Sequence, residues 1–336
     1  MEAGHTARDI LIDIDDSRMP LNFTRRSAAV IMRRISRGRQ MQENRIELLC
    51  ADGVRLAGDW WLPVADAPVA TVVINPATGV PARYYHYYAR FLARHGFNVF
   101  TYDYRGIGQS RPADLRRVSY TWRQWGQQDF DAALRHVLDR DETGRVLVVG
   151  HSIGGFLPGY ASKANCIAGL LSVGGQYGYW GDYQLSKRLP MAIKWHLLMP
   201  AITAALGYFP GKRLGWLEDL PKGVALGWGF QQGRAEQGLM TDESIEMRRG
   251  FAALTAPILA VSISDDPIAT PKAINRAMAY YTGASIAKVH LSPADLGFDR
   301  VGHFNLFHAR HEQGFWKSSL DWLREGSNPW PQRIYL

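Results

Sequence analysis

Short apolar runs, many of them rich in β-branched residues, alternate along this chain with longer segments whose apolar residues recur at helical spacing. Runs of four to eight such residues are typical of buried strands, and the longer periodic segments are typical of amphipathic helices. The pattern predicts eight strands, at residues 46–50, 56–62, 70–74, 98–102, 145–149, 167–173, 257–263 and 287–291. The clearest helical patterns lie at 84–95, 120–140 and 315–324.

The order of these elements predicts the fold class. Because helical segments separate most of the strands, we expect an α/β fold with a mostly parallel eight-stranded sheet flanked by helices. Only the first two strands are joined by a tight turn, where Asp52-Gly53 is a hairpin signal, so the sheet begins with an antiparallel pair. The length of 336 residues suits one large domain with an insertion.

The interval between the strands at 167–173 and 257–263 is too long for a simple crossover. Its central part, residues 176–250, combines four tryptophans with Gly and Pro residues that break short helical runs. We predict that this part is a helical cap inserted over the C-terminal edge of the sheet. The predicted organisation is an N-terminal extension, a first core part, the cap and a second core part, at 1–45, 46–175, 176–250 and 251–336.

A serine directly after a predicted strand carries the candidate chemistry. Gly150-His151-Ser152-Ile153-Gly154 matches the pattern G-x-S-x-G between the strand 145–149 and helical sequence. The motif needs this context, because the serine occupies a sharp, strained turn in which larger flanking residues would collide. Ser152 is therefore the predicted nucleophile. The alternative is a glycine-rich turn with an incidental serine.

A serine hydroxyl needs a base within hydrogen-bonding reach. We expect the acid and then the base to follow the serine, each in a loop after a strand. Asp266 is the preferred acid and Asp265 the alternative, although both could instead cap the next helix. His303, after the last strand, is the predicted base, and a structural histidine is the alternative. Three other histidines are less well placed for this role, namely His151, His308 and His311.

Two backbone N–H groups are needed to stabilise the oxyanion of a tetrahedral intermediate. Ile153, directly after the serine, is the first predicted donor. The second is expected in the loop after the strand 70–74, where Ala77 is preferred and Thr78 is the next choice. Pro76 has no N–H and is excluded.

With these motifs the chain resembles the α/β-hydrolase superfamily over about residues 46–330. Residues 103–110, Asp-Tyr-Arg-Gly-Ile-Gly-Gln-Ser, resemble the D-x-R-G-x-G-x-S segment common after the fourth strand, which shapes the loop beside the active site without being catalytic. Within this superfamily, serine at the centre of the G-x-S-x-G motif implies ester, thioester or amide chemistry. Haloalkane dehalogenases and epoxide hydrolases have aspartate at this position. Members of the superfamily usually have His-Gly before the loop that supplies the second oxyanion donor, here called the oxyanion loop. This chain has Asn75-Pro76 in that place.

Within the superfamily the chain resembles a poorly characterised group of bacterial serine hydrolases. The resemblance rests on Ala-Thr-Gly-Val at 77–80 with Tyr84-Tyr85, on the segment 207–213 and on the segment 219–224.

We therefore expect a serine hydrolase that cleaves a carboxylic ester, thioester or lactone of a small, partly apolar substrate through an acyl-enzyme. An acyltransferase with the same residues and a non-catalytic scaffold are the alternatives. No metal or organic cofactor is predicted. The predicted pocket combines one oxyanion-loop residue with aromatic residues that could instead only join cap to core: Thr78, Tyr177, Tyr179, Trp180, Trp195, Phe209 and Trp228.

Charge and cysteine content change this picture little. The chain has 39 Lys and Arg against 31 Asp and Glu, a net charge of +8, but no nucleic-acid-binding motif, so nucleic acid is not a predicted partner. The basic stretch 25–39 favours a short helix packed on the domain, with membrane-surface contact as the alternative. No transmembrane segment is predicted. Two widely separated cysteines, Cys50 and Cys166, favour a cytoplasmic location.

Overall fold

An eight-stranded sheet forms the centre of the computed structural model, which describes residues 42–64 and 67–336. Its strands are β1 (Gln42–Leu49), β2 (Arg55–Leu62), β3 (Thr71–Asn75), β4 (Asn98–Tyr102), β5 (Val146–His151), β6 (Ile167–Val173), β9 (Ile258–Ile263) and β10 (Ile286–Leu291). Two short strands, β7 (Tyr208–Phe209) and β8 (Leu220–Pro221), pair with each other. The predicted basic helix at 25–39 lies outside the described residues, and β1 begins inside the predicted extension.

The strand order in the sheet is β1-β2-β4-β3-β5-β6-β9-β10. β2 pairs antiparallel with both β1 and β4. The six strands β4, β3, β5, β6, β9 and β10 pair with their neighbours in parallel. The antiparallel start follows from the turn between β1 and β2, where Gly53 has a φ of +80° and Cys50 N–H donates to the Val54 carbonyl. The predicted α/β fold with a mostly parallel sheet is confirmed.

Helices cover both faces of this sheet. They are α1 (His86–Arg94), α2 (Trp122–Gln124), α3 (Asp131–Leu138), α4 (Ile153–Phe156), α5 (Arg188–Ala192), α6 (Met199–Leu206), α7 (Gly211–Leu214), α8 (Lys222–Gly229), α9 (Thr241–Ala253), α10 (Pro271–Met278) and α11 (Lys317–Glu325). A π-helical turn, Trp125–Phe130, joins α2 to α3, so the helix predicted at 120–140 is continuous in the structure.

Successive side chains of the parallel strands enter two different hydrophobic cores, because a strand alternates its side chains between the faces of the sheet. In β5, Val148 packs in the core that contains Phe130, whereas Val149 packs in the core that contains Leu92 and Trp316. β5 and β9 are buried along their whole length. Burial on both faces explains why these strands are continuous apolar runs.

The segment predicted as a cap, residues 176–250 and below called the inserted segment, follows β6 and contains α5 to α8 and most of α9. Its most prominent element is a continuous helix, Leu185–Leu206, which by length and composition alone could cross a membrane. The sequence analysis predicted no transmembrane segment, because no stretch of the chain approaches eighteen consecutive apolar residues. A single helix of this kind is weak evidence for a membrane span, since core helices of soluble proteins meet the same criterion.

Candidate active site

Ser152 occupies the turn between β5 and α4 with a backbone conformation that L-amino acids rarely adopt. Its φ of 55° and ψ of −124° make it the only non-glycine residue with positive φ in the described part of the chain. Such strain persists only where the surrounding structure enforces it. Here the Ser152 N–H donates to the Val173 carbonyl at 2.9 Å, and the Ser152 carbonyl accepts from Gly155 N–H at 2.9 Å.

The flanking glycines are required because backbone segments approach each other closely at this turn. A Cβ atom on Gly150 would lie 2.3 Å from the Gly154 carbonyl oxygen, and one on Gly154 would lie 2.3 Å from the Asn75 carbonyl oxygen. Neither contact can be relieved by moving a flexible side chain. The G-x-S-x-G spacing therefore has a steric cause in this chain.

The structure brings Ser152, His303 and Asp266 together. The His303 Nε2 atom lies 2.9 Å from Ser152 Oγ, and its Nδ1 atom lies 2.6 Å from Asp266 Oδ2. All three side chains are nearly buried. The arrangement allows the hydroxyl to donate its proton to Nε2 while Nδ1–H donates to the carboxylate.

The two adjacent acids after β9 have different partners. Asp266 accepts hydrogen bonds from His303 and, through Oδ1, from the Ile268 and Ala269 N–H groups at 2.8 and 3.0 Å. Asp265 instead accepts from the backbone of the loop that carries the histidine, namely Val301 N–H at 2.9 Å and Gly302 N–H at 2.8 Å. Asp266 therefore holds the imidazole, and Asp265 holds the loop.

The hydrogen bonds of Asp266 favour its ionised form. Burial alone would raise the pKa of this carboxyl, but the charge and hydrogen bond of His303 and the two backbone donors together hold the pKa below its ordinary value. The carboxylate is therefore charged at neutral pH and opposes loss of the Nδ1 proton.

The predicted oxyanion donor Ala77 is already engaged. Its N–H donates to the Tyr85 hydroxyl at 2.9 Å, and that hydroxyl lies 2.8 Å from Nδ1 of His151. The His151 Nε2 atom in turn lies 2.9 Å from the His303 carbonyl oxygen. A consistent set of donors follows, with Tyr85 donating to Nδ1 and His151 Nε2–H donating to the carbonyl.

Thr78, the second choice of the sequence analysis, differs from Ala77 in the hydrogen bonding of its N–H. No described residue accepts a hydrogen bond from the Thr78 N–H, and Thr78 and Ile153 line the same cavity as Ser152. Of the two candidates in this loop, Thr78 is therefore the better placed donor. Ala77, the preferred prediction, lines the same cavity, but its N–H is bonded to Tyr85, the residue before α1.

Asn75 fills the place of the family's usual histidine before the oxyanion loop. Its Nδ2 atom donates to the Gly154 carbonyl at 3.3 Å, and its Oδ1 atom accepts from the Tyr102 hydroxyl at 2.9 Å. The side chain is fully buried. It therefore ties the end of β3 to the turn that carries Ser152.

Gln176 is a site residue that the sequence analysis missed. It follows β6, its Nε2 atom donates to Ser152 Oγ at 3.1 Å, and its Oε1 atom accepts from Gly178 N–H. No motif marks this position, and the only available signal was its location just after a parallel strand at the C-terminal edge of the sheet.

An apolar cavity opens above Ser152, and the inserted segment forms part of its wall. Three of the seven predicted pocket residues, Thr78, Tyr177 and Trp228, line it. Apolar or aromatic side chains that the prediction did not include complete the wall: Trp122, Val224, Ile268 and Phe304.

Four predicted pocket residues lie outside this cavity. Trp195 stacks behind Trp228 with ring centroids 4.7 Å apart, and Phe209 packs against Trp216 in the buried core. Tyr179 packs under the Arg276 guanidinium, and Trp180 is 44% exposed. Aromatic content alone did not reveal which side of each element faces Ser152.

The D-x-R-G-x-G-x-S segment after β4 is held by its own hydrogen bonds. Asp103 accepts from Ala82 N–H at 2.7 Å and from Gln109 N–H at 2.9 Å, and Gly108 has no room for a Cβ beside this carboxylate. Arg105 is fully buried and pairs with Asp129. None of these side chains lines the cavity over Ser152.

Within residues 42–64 and 67–336, no group of three or more His, Cys, Asp or Glu side chains is arranged to hold a metal ion.

Comparisons with known proteins agree with this architecture. No curated protein matches the chain. The solved structure of DcsB with its substrate analogue superposes with a TM-score of 0.57 at 15% identity, covering 85% of this chain and 100% of that one. An esterase domain from Rhodothermus marinus gives 0.52 at 17% identity, covering 84% and 98%. An esterase from Pyrococcus furiosus gives 0.52 at 14% identity, covering 90% and 93%.

These structural similarities, at such low identity, concern the fold alone. The sequence supplies the family independently, because residues 50–315 match the model described as the alpha/beta hydrolase family. That match spans most of the chain, and we conclude that the protein belongs to the alpha/beta hydrolase family.

Proposed function

We propose that this protein is a serine-dependent hydrolase of carboxylic esters. The observation that carries the proposal is the 2.9 Å contact between Ser152 Oγ and His303 Nε2, with Asp266 at 2.6 Å on the other ring nitrogen. A serine hydroxyl in this geometry can transfer its proton to the imidazole as it attacks a carbonyl carbon.

The reaction has two balanced steps. Ser152 Oγ forms a bond to the carbonyl carbon while its proton moves to His303 Nε2, and the tetrahedral intermediate then expels the alkoxy oxygen, which takes that proton and leaves as the alcohol. Water next gives a proton to Nε2 and attacks the acyl carbon. Release of the carboxylic acid returns the proton to Ser152.

The oxyanion of each intermediate is stabilised by two backbone N–H groups. We assign these to Ile153 and Thr78, since both line the cavity beside Ser152 and the Ala77 N–H is bonded to Tyr85. Replacing Thr78 by proline removes this N–H, whereas alanine keeps it. The proline variant should therefore lose activity that the alanine variant retains.

The cavity wall favours a small, partly apolar acyl or alcohol group. Trp122, Val224, Trp228 and Ile268 present apolar surface near Ser152. Membership of the alpha/beta hydrolase family supports hydrolase chemistry, and two of the structures with this fold are esterases. Thioesters and lactones present the same acyl carbon and belong to the candidate substrates.

A fluorophosphonate probe tests the proposal. It should label the wild-type protein and the Ser264→Ala control, whose serine is exposed at the end of β9, but not Ser152→Ala. Hydrolysis of p-nitrophenyl esters of increasing chain length should disappear in the same variant. Full activity of Ser152→Ala would overturn the assignment, and absence of both labelling and turnover in the wild type would favour a non-catalytic scaffold.

An acyltransferase would form the same acyl-enzyme and differ only in its acceptor. Adding short alcohols to the ester assay separates the two functions. A hydrolase should release mainly free acid, whereas an acyltransferase should transfer most of the acyl group to the alcohol.

A further inference from the structure

A row of apolar side chains lies exposed along the outer side of the helix Leu185–Leu206. Leu185, Leu189, Ile193 and Leu197 are 78, 71, 43 and 61% exposed, and each is four positions from the next. Ala201 and Ala205 continue the row and are also exposed. We call these six residues the apolar row. Single exposed apolar residues are ordinary on protein surfaces, but a continuous row on one helix marks an interaction site.

The opposite side of this helix is fixed to the rest of the protein. Trp195, Met199 and Thr203 are buried. The His196 ring lies within hydrogen-bonding distance of the Gly229 carbonyl at 2.9 Å and of the Tyr183 hydroxyl at 3.0 Å. Rotating the helix to hide the apolar row would break these contacts, so the row is a stable feature of the surface.

The helix Leu185–Leu206 and the residues next to it in the sequence carry positive charge. Residues 183–217 contain five basic residues and no Asp or Glu, and the flanking acids Asp182, Glu218 and Asp219 are each paired with a basic residue. Lys212 pairs with Glu218, whereas the structure records no described carboxylate within ion-pair distance of Lys187, Arg188, Lys194 or Arg213. An apolar face bordered by lysine and arginine is the composition of helices that lie in the surface of an anionic membrane.

A lipid surface fits these charges better than a second copy of the chain. In a two-fold symmetric dimer built on this helix, the same basic residues from both copies would meet, and like charges would oppose association. Anionic lipid headgroups attract them instead, while the leucines enter the boundary between headgroups and acyl chains. The fixed inner side also favours a helix lying in the surface over one that crosses the bilayer.

The helix is also adjacent to the candidate active site. Trp195 on its inner side stacks on Trp228 with an angle of 17° between the rings, and Trp228 lines the cavity above Ser152. Through Trp195 the helix therefore contacts a residue of the cavity wall directly.

We propose that this protein docks on the surface of anionic lipid bilayers through the apolar row, with Leu185–Leu206 lying in the plane of the membrane. The docking does not depend on the chemistry at Ser152. It places the cavity near apolar molecules dissolved in the bilayer.

Co-sedimentation of the full chain with vesicles tests the proposal. The wild type should bind to vesicles of phosphatidylglycerol mixed with phosphatidylcholine. It should bind much less to vesicles of phosphatidylcholine alone. The double variant Leu189→Ser and Leu197→Ser should reduce binding at least about ten-fold, because it removes two of the residues that would enter the lipid. Leu49→Ser with Met240→Ser, which changes two equally exposed apolar residues outside the helix, should bind like the wild type.

Two further double variants, which remove positive charges, test the contribution of the lipid headgroups to vesicle binding. Lys187→Gln with Arg213→Gln should weaken binding to the anionic vesicles and reduce its sensitivity to salt. Lys163→Gln with Lys317→Gln, which removes two exposed lysines outside the inserted segment, should change binding less. Circular dichroism and thermal unfolding should confirm that all four variants fold.

Three results would overturn the proposal. Unchanged vesicle binding by the leucine variant would assign any membrane contact to another part of the chain. A dimer that the leucine variant dissociates, without vesicle binding by the wild type, would identify the apolar row as a self-association surface. Protein that stays on the vesicles in alkaline carbonate and is released only by detergent would indicate a membrane-spanning helix.

Discussion

The side-chain amide of Gln176 donates a hydrogen bond to the Ser152 hydroxyl oxygen over 3.1 Å. Because this bond occupies a lone pair of Oγ, the hydroxyl proton is left to point towards His303 Nε2, 2.9 Å away. Gln176 itself is fixed by Gly178 N–H, which donates to its Oε1 atom. Gln176 therefore orients the Ser152 hydroxyl before any substrate arrives.

We expect Gln176→Ala to lower kcat/KM for p-nitrophenyl esters by about ten-fold, the equivalent of one lost hydrogen bond of about 1.4 kcal/mol. The matched control is Gln231→Ala. Gln231 is also a buried glutamine of the inserted segment, but it bonds to the backbone of its own loop and not to Ser152. Equal losses in the two variants would mean that Gln176 acts only through stability.

Tyr85 connects the oxyanion loop to the loop of the histidine. Its hydroxyl accepts from Ala77 N–H and bonds to His151, which in turn bonds to the His303 carbonyl. Burial lowers the pKa of His151 to about 3, with the nearby charge of His303 as the next cause. The ring therefore remains neutral and keeps its acceptor for Tyr85 at any pH at which the enzyme would be assayed.

Tyr85→Phe should therefore lower kcat by about ten-fold with little change in KM, because the loop that supplies the oxyanion donor loses its anchor while the apolar cavity wall is kept. Tyr88→Phe is the control, since Tyr88 is equally buried on the next turn and its hydroxyl bonds to Ser319. Both variants should be slightly less stable. A fall in kcat shared by Tyr88→Phe would contradict the positioning role.

Asp266 and Asp265 differ in what they hold, and their variants should differ accordingly. Asp266→Asn removes the carboxylate that bonds to His303 Nδ1, and we expect kcat to fall by about 10³- to 10⁴-fold. Asp265→Asn keeps only one of the two oxygens that accept from the Val301 and Gly302 N–H groups. It does not alter the carboxylate that bonds to the imidazole, so we expect a loss of about ten-fold or less. The opposite order of the two losses would reverse the assignment.

The sequence was sufficient to predict those site residues that a motif or a position after a strand identifies. Ser152, Asp266 and His303 each follow a strand, and parallel strands bring their C-terminal ends to one edge, so chain order and the G-x-S-x-G motif led to residues that the structure brings within hydrogen-bonding distance. Gln176 and Tyr85 have no such signal. Their contacts depend on how a loop and a helix pack, which composition and periodicity do not encode.

The cavity wall was harder to predict for the same reason. Trp195 and Trp228 both lie in helical parts of the inserted segment, yet only Trp228 lines the cavity above Ser152, while Trp195 stacks behind it. Which side of an inserted helix faces the site is decided by tertiary packing. The exposed leucines of Leu185–Leu206 were missed likewise, because the sequence pattern does not show which apolar residues of this helix the rest of the protein covers.

The two cysteines should differ strongly in reactivity. Cys50 is buried and its thiol donates to Asp129 at 3.6 Å; burial and then the Asp129 charge raise its pKa to about 12. Cys166 is exposed. Iodoacetamide at pH 8 should therefore modify Cys166 at least about 100-fold faster than Cys50, because only the thiolate reacts. Mass spectrometry of the native protein and of Cys166→Ser checks this, and guanidinium-unfolded protein should be modified at both positions.

His311 should make the protein less stable in mild acid. The ring is fully buried and packs against Phe298, with ring centroids 4.3 Å apart and an angle of 50° between the planes. Its Nε2 atom accepts a hydrogen bond from Arg310, which requires this nitrogen to be unprotonated. Burial, followed by the positive charges of Arg310 and His308, lowers the pKa of His311 from 6.5 to about 4. The unfolded chain therefore binds a proton below pH 6.5 that the folded protein refuses until about pH 4.

The free energy of unfolding should consequently fall as the pH decreases through this window, by up to about 3 kcal/mol from this residue, and level off below it. Urea unfolding at neutral pH and at mildly acidic pH measures the difference. His311→Gln should lose less stability between the two pH values than the wild type. Leu323→Ala, a buried residue of the same core that does not titrate, should be destabilised equally at both. If His311→Gln keeps the full pH dependence, other buried histidines are responsible for it.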